Sequence, residues 1–456
     1  MKLRATQYLG YAAGDAANNL TFSMISAFLL IYYTDVAGVA AGTAGTIFLV
    51  VRIWGGFTDL LAGRVVDETS TRWGRFRPYL LFGSVPLVVL LVVVFSIPAG
   101  LSDNGTLVWA CVSYALFQLA YSFVNIPYGS LSAAMTQEPD ERAKLSTGRM
   151  VAASLIILMI AVVVSPQISG GGNLQGSLTI TTIVFAIVGF AFYMWCFGTA
   201  RETVRRDVQQ KVTLRATADM VRRNRPLIML CGSTLLFLTG QFALQTVAVY
   251  YARDVLGNVD LYIVLTVVQT AGSLIAALIV PKASEAMGKQ RTYLAAGLIG
   301  VAGAVGVAVA PGGTPAIGIV CFGVTGFGLG VINTLIFALQ ADTVDYGEWD
   351  SGVRAEGASY SVLSFTRKTA QGIGGALAAY TIGIGGYVSG GGSQTSDAVT
   401  SIRVAAGAIP AIATLAAAGV MLAYPLTEKA FRTLVSELAE RRAQAAIAAA
   451  GSEAVS

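Results

Sequence analysis

The sequence predicts an all-α membrane protein, with twelve transmembrane helices in two pseudo-symmetric six-helix bundles and both termini cytoplasmic. Three observations predict it. The first is composition: the 456 residues are 55% hydrophobic and only 12% charged, with a mean hydropathy of +0.67, whereas a soluble domain carries about a quarter charged residues. The second is the form of the apolar runs, which are continuous and reach the roughly 20 residues of a spanning helix; a membrane β-barrel alternates over ~10-residue segments instead. The third is the placement of positive charge in the connecting loops.

In chain order, the apolar runs place helices at 8–34, 43–66, 79–98, 106–134, 147–168, 177–200, 227–251, 260–281, 292–311, 315–342, 358–384 and 403–425. The run Leu20 to Tyr33 has Asp15, Asn18 and Asn19 on its amino-terminal side and no small-residue cleavage site, so it reads as a first span and not as a removed signal peptide. With the amino terminus inside, 23 of the 30 lysines and arginines fall on cytoplasmic segments, against only Arg253 and Arg403 outside. The longest loop divides the chain into an N-terminal bundle (1–200), a cytoplasmic central loop (201–226), a C-terminal bundle (227–427) and a cytoplasmic tail (428–456) that reads as an alanine-rich, charged helix.

The halves echo each other. Ala62-Gly63-Arg64, Asp67 and Arg72-Trp73-Gly74-Arg75-Phe76-Arg77 follow span two; Pro281-Lys282, Glu285 and Gly288-Lys289-Gln290-Arg291 follow span eight. This is the arrangement of the major facilitator superfamily, whose halves rock about a midplane site. These basic loops read either as a charged latch between helix ends or as positive-inside anchors. The glycine series 297, 300, 303, 306 and 323, 326, 328, 330 read as seams of close helix packing.

Several chemistries are excluded. There is no G-x-x-x-x-G-K-[ST] motif for an ATP-driven pump. With no histidine and no convincing hydrolytic pairing of carboxylates, an enzyme is disfavoured. Cys111, Cys196, Cys231 and Cys321 lie in apolar runs without metal-ligand spacing and read as packing residues, so no metal or other cofactor is expected. The net charge of +5 is spent on topology and implies no nucleic-acid partner.

Ionisable groups inside a membrane each cost at least ~2.5–3.5 kcal/mol and need a reason. The intramembrane set is Asp15, Asp59, Arg52, Arg149, Arg367 and Lys368, accompanied by Asn18, Asn19, Thr58, Asn125, Asn333 and Gln371. An ion-pair network explains any one of them; six together fit a water-filled cavity better. Asp59, two helical turns from Arg52, is the first candidate for binding and releasing a proton, with Asp15 second. Arg149, Arg367 and Lys368 suit an anionic substrate, since a guanidinium takes a carboxylate through two hydrogen bonds; the alternative, favoured for Arg367, is snorkelling from a helix end. In Asn125-Ile126-Pro127-Tyr128 the proline frees backbone carbonyls, while Asn125 and Tyr128 suit sugar hydroxyls. Asp342, Asp345, Glu348, Asp350, Arg354 and Glu356 cluster at the cytoplasmic end of span ten and its loop. They read as an ionic gate toward Arg142, Lys144 or Arg149, or as a solvated loop.

These residues carry a family pattern. Gly10-Tyr11-x-x-Gly14-Asp15-x-x-Asn18-Asn19, Tyr33-Thr34-Asp35-Val36 and Arg52-Ile53-Trp54 lead to Asp59 and Arg72-Trp73-Gly74-Arg75-Phe76-Arg77-Pro78; Tyr121 to Ser130, Asn224-Arg225-Pro226-Leu227, Asp345-Tyr346-Gly347-Glu348-Trp349 and Ser364-Phe365-Thr366-Arg367-Lys368 follow. Together, from about residue 8 to 432, they resemble the glycoside–pentoside–hexuronide:cation symporters, with the hexuronide carriers nearest. The resemblance implies a cation site at Asp59 with Ser122 facing it, and sugar contacts by Asn18, Asn19, Asn125, Arg149 and Lys368; Thr58 is joined here to the first set, and Tyr128 and Asn333 to the second. Gly55 stands where the family places a second carboxylate, Asn19 and Asn125 where relatives have sugar-binding aspartates, and Gly129 where they have tryptophan. Hard cations want several oxygen ligands, so the loss of acids favours H+ over Na+ as the coupling ion. The expectation is a monomeric carrier in the bacterial inner membrane, lipid around it, moving a β-glucuronide or other hexuronide with a proton. A neutral pentoside or disaccharide symporter is the alternative within transport, and a transporter-like sugar sensor the alternative outside it.

Overall fold

The computed structural model describes residues 3–136, 138–169, 173–203, 222–351, 356–389 and 393–453. The described residues form long helices: α1 Ala5–Ile31, α2 Ala41–Glu68, α3 Tyr79–Val94, α4 Asp103–Met135, α5 Pro139–Ser169, α6 Leu174–Thr199, α7 Arg225–Val255, α8 Leu261–Met287, α9 Lys289–Val309, α10 Pro315–Ser351, α11 Glu356–Ile384, α12 Ser396–Leu422 and the tail helix α13 Glu428–Glu453. Among the described residues, nine of these (α2, α4 to α10 and α12) are long and apolar enough to cross a membrane, and α3 is a shorter apolar helix. The remaining two long helices before the tail, α1 with 27 residues and α11 with 29, carry the polar load: Asp15, Asn18 and Asn19 on one, Arg367, Lys368 and Gln371 on the other. Their neighbours explain it. α1 is buried among α5, α6 and α7, and α11 lies between α2 and α7, so neither needs an all-round apolar surface. The outer helices show the reverse pattern, with Leu278 and Ile412 turned outward at 79% and 69% exposure.

Helix termini follow local chemistry. Ser102 caps α4 by accepting from Gly105 N at 3.2 Å, and Asn224 caps α7 by accepting from Leu227 N at 3.0 Å, with Pro226 in the first turn. Where the sequence pattern ends span ten at residue 342, α10 continues to Ser351, so Asp342, Asp345, Glu348 and Asp350 ride on helix and not on a loop. Charges at the watery end of a helix do not break it. Arg354 lies outside the described residues.

The glycine series are seams. A Cβ on Gly328 would stand 2.6 Å from the Cα of Gly300, and one on Gly326 would stand 2.7 Å from the Cα of Gln269, so α10 meets α9 and α8 backbone to backbone. The basic loop after α2 is also a latch, though by a different means from paired side chains. The Glu202 carboxylate accepts from the backbone N–H of Arg75, Phe76 and Arg77 at 2.9, 2.8 and 3.2 Å.

A further repeat unites the halves. α1 ends in Tyr32-Tyr33-Thr34-Asp35-Val36-Ala37-Gly38, and α7 ends in Tyr250-Tyr251-Ala252-Arg253-Asp254-Val255-Leu256-Gly257. Both ends widen into a single π-helical turn, Tyr32–Val36 and Tyr251–Val255, and both close on a glycine in the left-handed region, Gly38 at φ 67° and Gly257 at φ 77°.

Candidate functional site

α2 and α11 pack along each other, and between them and α1, α4 and α10 lies a cavity of about 220 Å³. Phe22, Arg52, Gln118, Tyr121 and Asn125 line one side; Phe337, Tyr360, Leu363, Ser364, Arg367, Lys368 and Gln371 line the other. On α11 the lining positions recur every three or four residues, which sets them on one helical face. Phe22 stacks on Tyr121 with centroids 5.9 Å apart, giving an aromatic wall of the kind that receives sugar rings.

The charges of this cavity are unequal. Among the described residues three cations line it and no carboxylate does. Just behind the wall, Asp59 of α2 pairs with Lys368 of α11, and the Lys368 ammonium also donates to Gly55 O at 3.3 Å. The second oxygen of Asp59, Oδ1, is buried without a partner. Thr58 and Ser122 share a hydrogen bond of 2.8 Å on the adjoining turn. Among the described residues no group of three or more acidic, cysteine or histidine side chains is placed to hold a metal ion. Arg52 is held by Gln371 Oε1 at 3.0 Å and Ser26 Oγ at 3.1 Å, and lies over the Phe22 ring.

Of the residues expected at the sugar, Asn125 and Lys368 line the cavity. The others serve different geometry. Arg149 is not among the residues lining the cavity: its Nε donates to Asp15 Oδ1 at 2.8 Å. Asn19 donates to the same carboxylate at 2.9 Å, and Asn18 accepts from Tyr193 Oη at 2.9 Å. Tyr128 is fully buried, stacks on Tyr11 at 4.8 Å and donates to Tyr11 O at 2.7 Å. Asn333 donates to Gln241 Oε1 at 2.9 Å. Asp15, the second carboxylate considered for the proton, is therefore the centre of a packed polar cluster.

Of the expected gate residues, Asp342 and Arg142 bond within their own halves. Both Asp342 oxygens accept from Lys289 Nζ at 2.7 Å, tying α10 to α9, and Arg142 Nε donates to Thr136 O at 2.9 Å. Asp345 and Glu348 sit one and two turns beyond Asp342 on α10. Besides Lys368–Asp59, a second ion pair joins the halves at the other end, at the repeated Tyr-Tyr turns. Arg253 Nη1 donates to Asp35 Oδ2 at 2.7 Å, Arg253 Nε to Asp254 Oδ1 at 2.9 Å, and Tyr387 Oη to Asp35 Oδ1 at 2.9 Å; Arg253 also donates to Tyr387. Thr34 and Tyr250 complete the contact at 2.8 Å. Tyr360, near the start of α11, lines the cavity and is 57% exposed.

Residues 10–428 match the family described as MFS/sugar transport protein. The chain belongs to that family. The transporter is 41% identical to the glucuronide carrier protein homolog of Escherichia coli over 95% of both chains. It is 31% identical to the isoprimeverose transporter of Lactiplantibacillus pentosus, over 96% of this chain and 92% of that one. In fold it is similar to a bacterial homolog of the human lysosomal transporter Spinster, with a TM-score of 0.69 at 11% identity, covering 95% of this chain and 99% of that one. It is thus a multi-pass sugar symporter of the MFS type; its relatives and neighbours are transporters and not enzymes.

Proposed function

We propose that the protein is a proton-coupled symporter of an anionic glycoside, most simply a β-glucuronide or related hexuronide, in the bacterial inner membrane. It works with twelve crossings in two six-helix halves, 1–200 and 227–427, and with both termini cytoplasmic. The observation that carries this reading is the excess of cations in the cavity: Arg52, Arg367 and Lys368 line it, and among the described residues Asp59 alone pairs with one of them. A site of that charge prefers a substrate that brings a carboxylate. The glucuronide carrier homolog among the relatives supports the same class.

The coupling follows from one ion pair. Lys368 stands as a tethered cation where a symporter of Na+ would bind its ion, and Gly55 contributes a carbonyl in place of a second acid. Protonating Asp59 removes the counter-charge that holds Lys368. The freed ammonium then adds to the positive field that the anionic substrate completes. With proton and substrate both bound the cavity's net charge is the same as in the empty carrier, and the halves rock with that charge unchanged. The Asp35–Arg253–Tyr387 contact opens as the inner end closes.

The isoprimeverose transporter and the amide Asn125 on the cavity wall support a second reading, a neutral pentoside. Uptake into sealed, energised vesicles separates the two. A labelled aryl β-glucuronide accumulates under an imposed proton gradient and is released by a protonophore if the first reading holds. Accumulation of a neutral pentoside with no uptake of the glucuronide replaces it with the second.

A further inference from the structure

Snorkelling does not describe Arg367. The side chain is on the cavity wall, its guanidinium 5.0 Å from the centroid of the Phe337 ring, and its Nη1 is buried with no hydrogen-bond partner. The other two cavity cations are already engaged. Lys368 has Asp59, and Arg52 has Gln371, Ser26 and the face of Phe22. Among the described residues no carboxylate pairs with Arg367. A guanidinium held out of water without an acceptor is costly, and that cost is offset when a ligand supplies the acceptor.

A second donor on the same cavity is in the same condition. Gln118 Nε2 is buried without a partner. The glycine at position 55 makes room for it: a Cβ there would stand 2.7 Å from Gln118 Cγ and from Gln118 Nε2. Replacing the acid at 55 by glycine therefore admits an amide donor to the cavity as well as removing a negative charge. Two unsatisfied donors, one a planar fork that fits a carboxylate bidentately, define a ligand rich in acceptors and negatively charged.

We propose that Arg367 is the specificity-determining residue that takes the substrate's carboxylate, with Gln118 as a second donor to the same ligand. This assignment rests on the anionic-glycoside reading above and names its contact. Arg149, held by Asp15, and Lys368, held by Asp59 until proton binding, are not the primary partners.

The test crosses substrate charge with the side chain. Affinities of the purified full-length protein are measured for phenyl β-D-glucuronide and for its uncharged counterpart, phenyl β-D-glucoside, by calorimetry and by competition for uptake. The wild type prefers the glucuronide. Arg367→Gln weakens glucuronide binding about ten- to a hundred-fold, the range of a charge-assisted hydrogen-bond pair, and leaves the glucoside unchanged. Arg367→Lys keeps part of the preference. A wild-type preference that survives Arg367→Gln overturns the role of Arg367 and leaves the anionic-glycoside reading intact. Equal losses on both ligands in both variants overturn it in favour of a structural arginine. A wild type with no preference for the charged ligand overturns the reading and the assignment together.

Discussion

Lys368 of α11 and Asp59 of α2 form an ion pair at the seam between the two halves, with Lys368 also donating to Gly55 O at 3.3 Å. A cation on one half is thereby bound to a carboxylate of the other. The pair is almost withdrawn from solvent, its side chains 12% and 13% exposed. Its charge state is thus felt by the cavity, not screened by water.

Asp59→Asn removes the ionisable partner while keeping the shape of the site. The expected outcome is loss of gradient-driven accumulation with retention of substrate exchange between preloaded and external pools. Lys368→Ala, which leaves Asp59 buried and unpaired, is the more damaging single change, and Asp59→Asn combined with Lys368→Met recovers the thermal stability that it loses. Tm measurements in detergent alongside uptake check both statements.

Arg149 and Asp15 behave as a structural pair. Arg149→Gln lowers stability by up to about 3 kcal/mol, because it strands a buried carboxylate, and adding Asp15→Asn restores much of the loss. The preference for charged over uncharged glycoside is unchanged. Thermal unfolding of the two single variants and the double variant reads the coupling.

In the proposed cycle the Asp35–Arg253–Tyr387 contact keeps the outer end of the cavity closed. Arg253→Gln shifts the resting population toward opening at that end. A cysteine placed at Gln371 is then labelled several-fold faster by an impermeant maleimide added outside right-side-out vesicles. An unchanged rate means that the closed end is held by packing alone.

At Gly328 the constraint is steric. Gly328→Val pushes α10 off α9 at Gly300 and costs about 1–3 kcal/mol, seen as a lower Tm; Gly313, whose Cβ position meets nothing within 4 Å, accepts alanine without loss.

Hydropathy made most of the fold legible, since α2, α4 to α10 and α12 are apolar runs that any lipid-facing helix needs. The same signal is faint for α1 and α11, because helices around a polar cavity are less apolar. Asp59 and Lys368 stood out as charges in apolar surroundings. Their pairing across more than 300 residues of sequence did not, and neither did the capture of Arg149 by Asp15, 134 residues away. Gln118 gives no such signal, because an uncharged amide in an apolar run carries no cost visible in sequence. The repeated Tyr-Tyr turns were legible but separated by one inserted residue, Arg253, which is the residue that locks them together.

The most direct test of the central claim is the number of protons taken up when substrate binds. Calorimetric titration of phenyl β-D-glucuronide into the purified protein, in buffers of different ionisation enthalpy, gives that number. The account predicts close to one proton taken up per substrate by the wild type and none by Asp59→Asn, with binding retained. Substrate binding without proton uptake in the wild type, or undiminished uptake in Asp59→Asn, would contradict it.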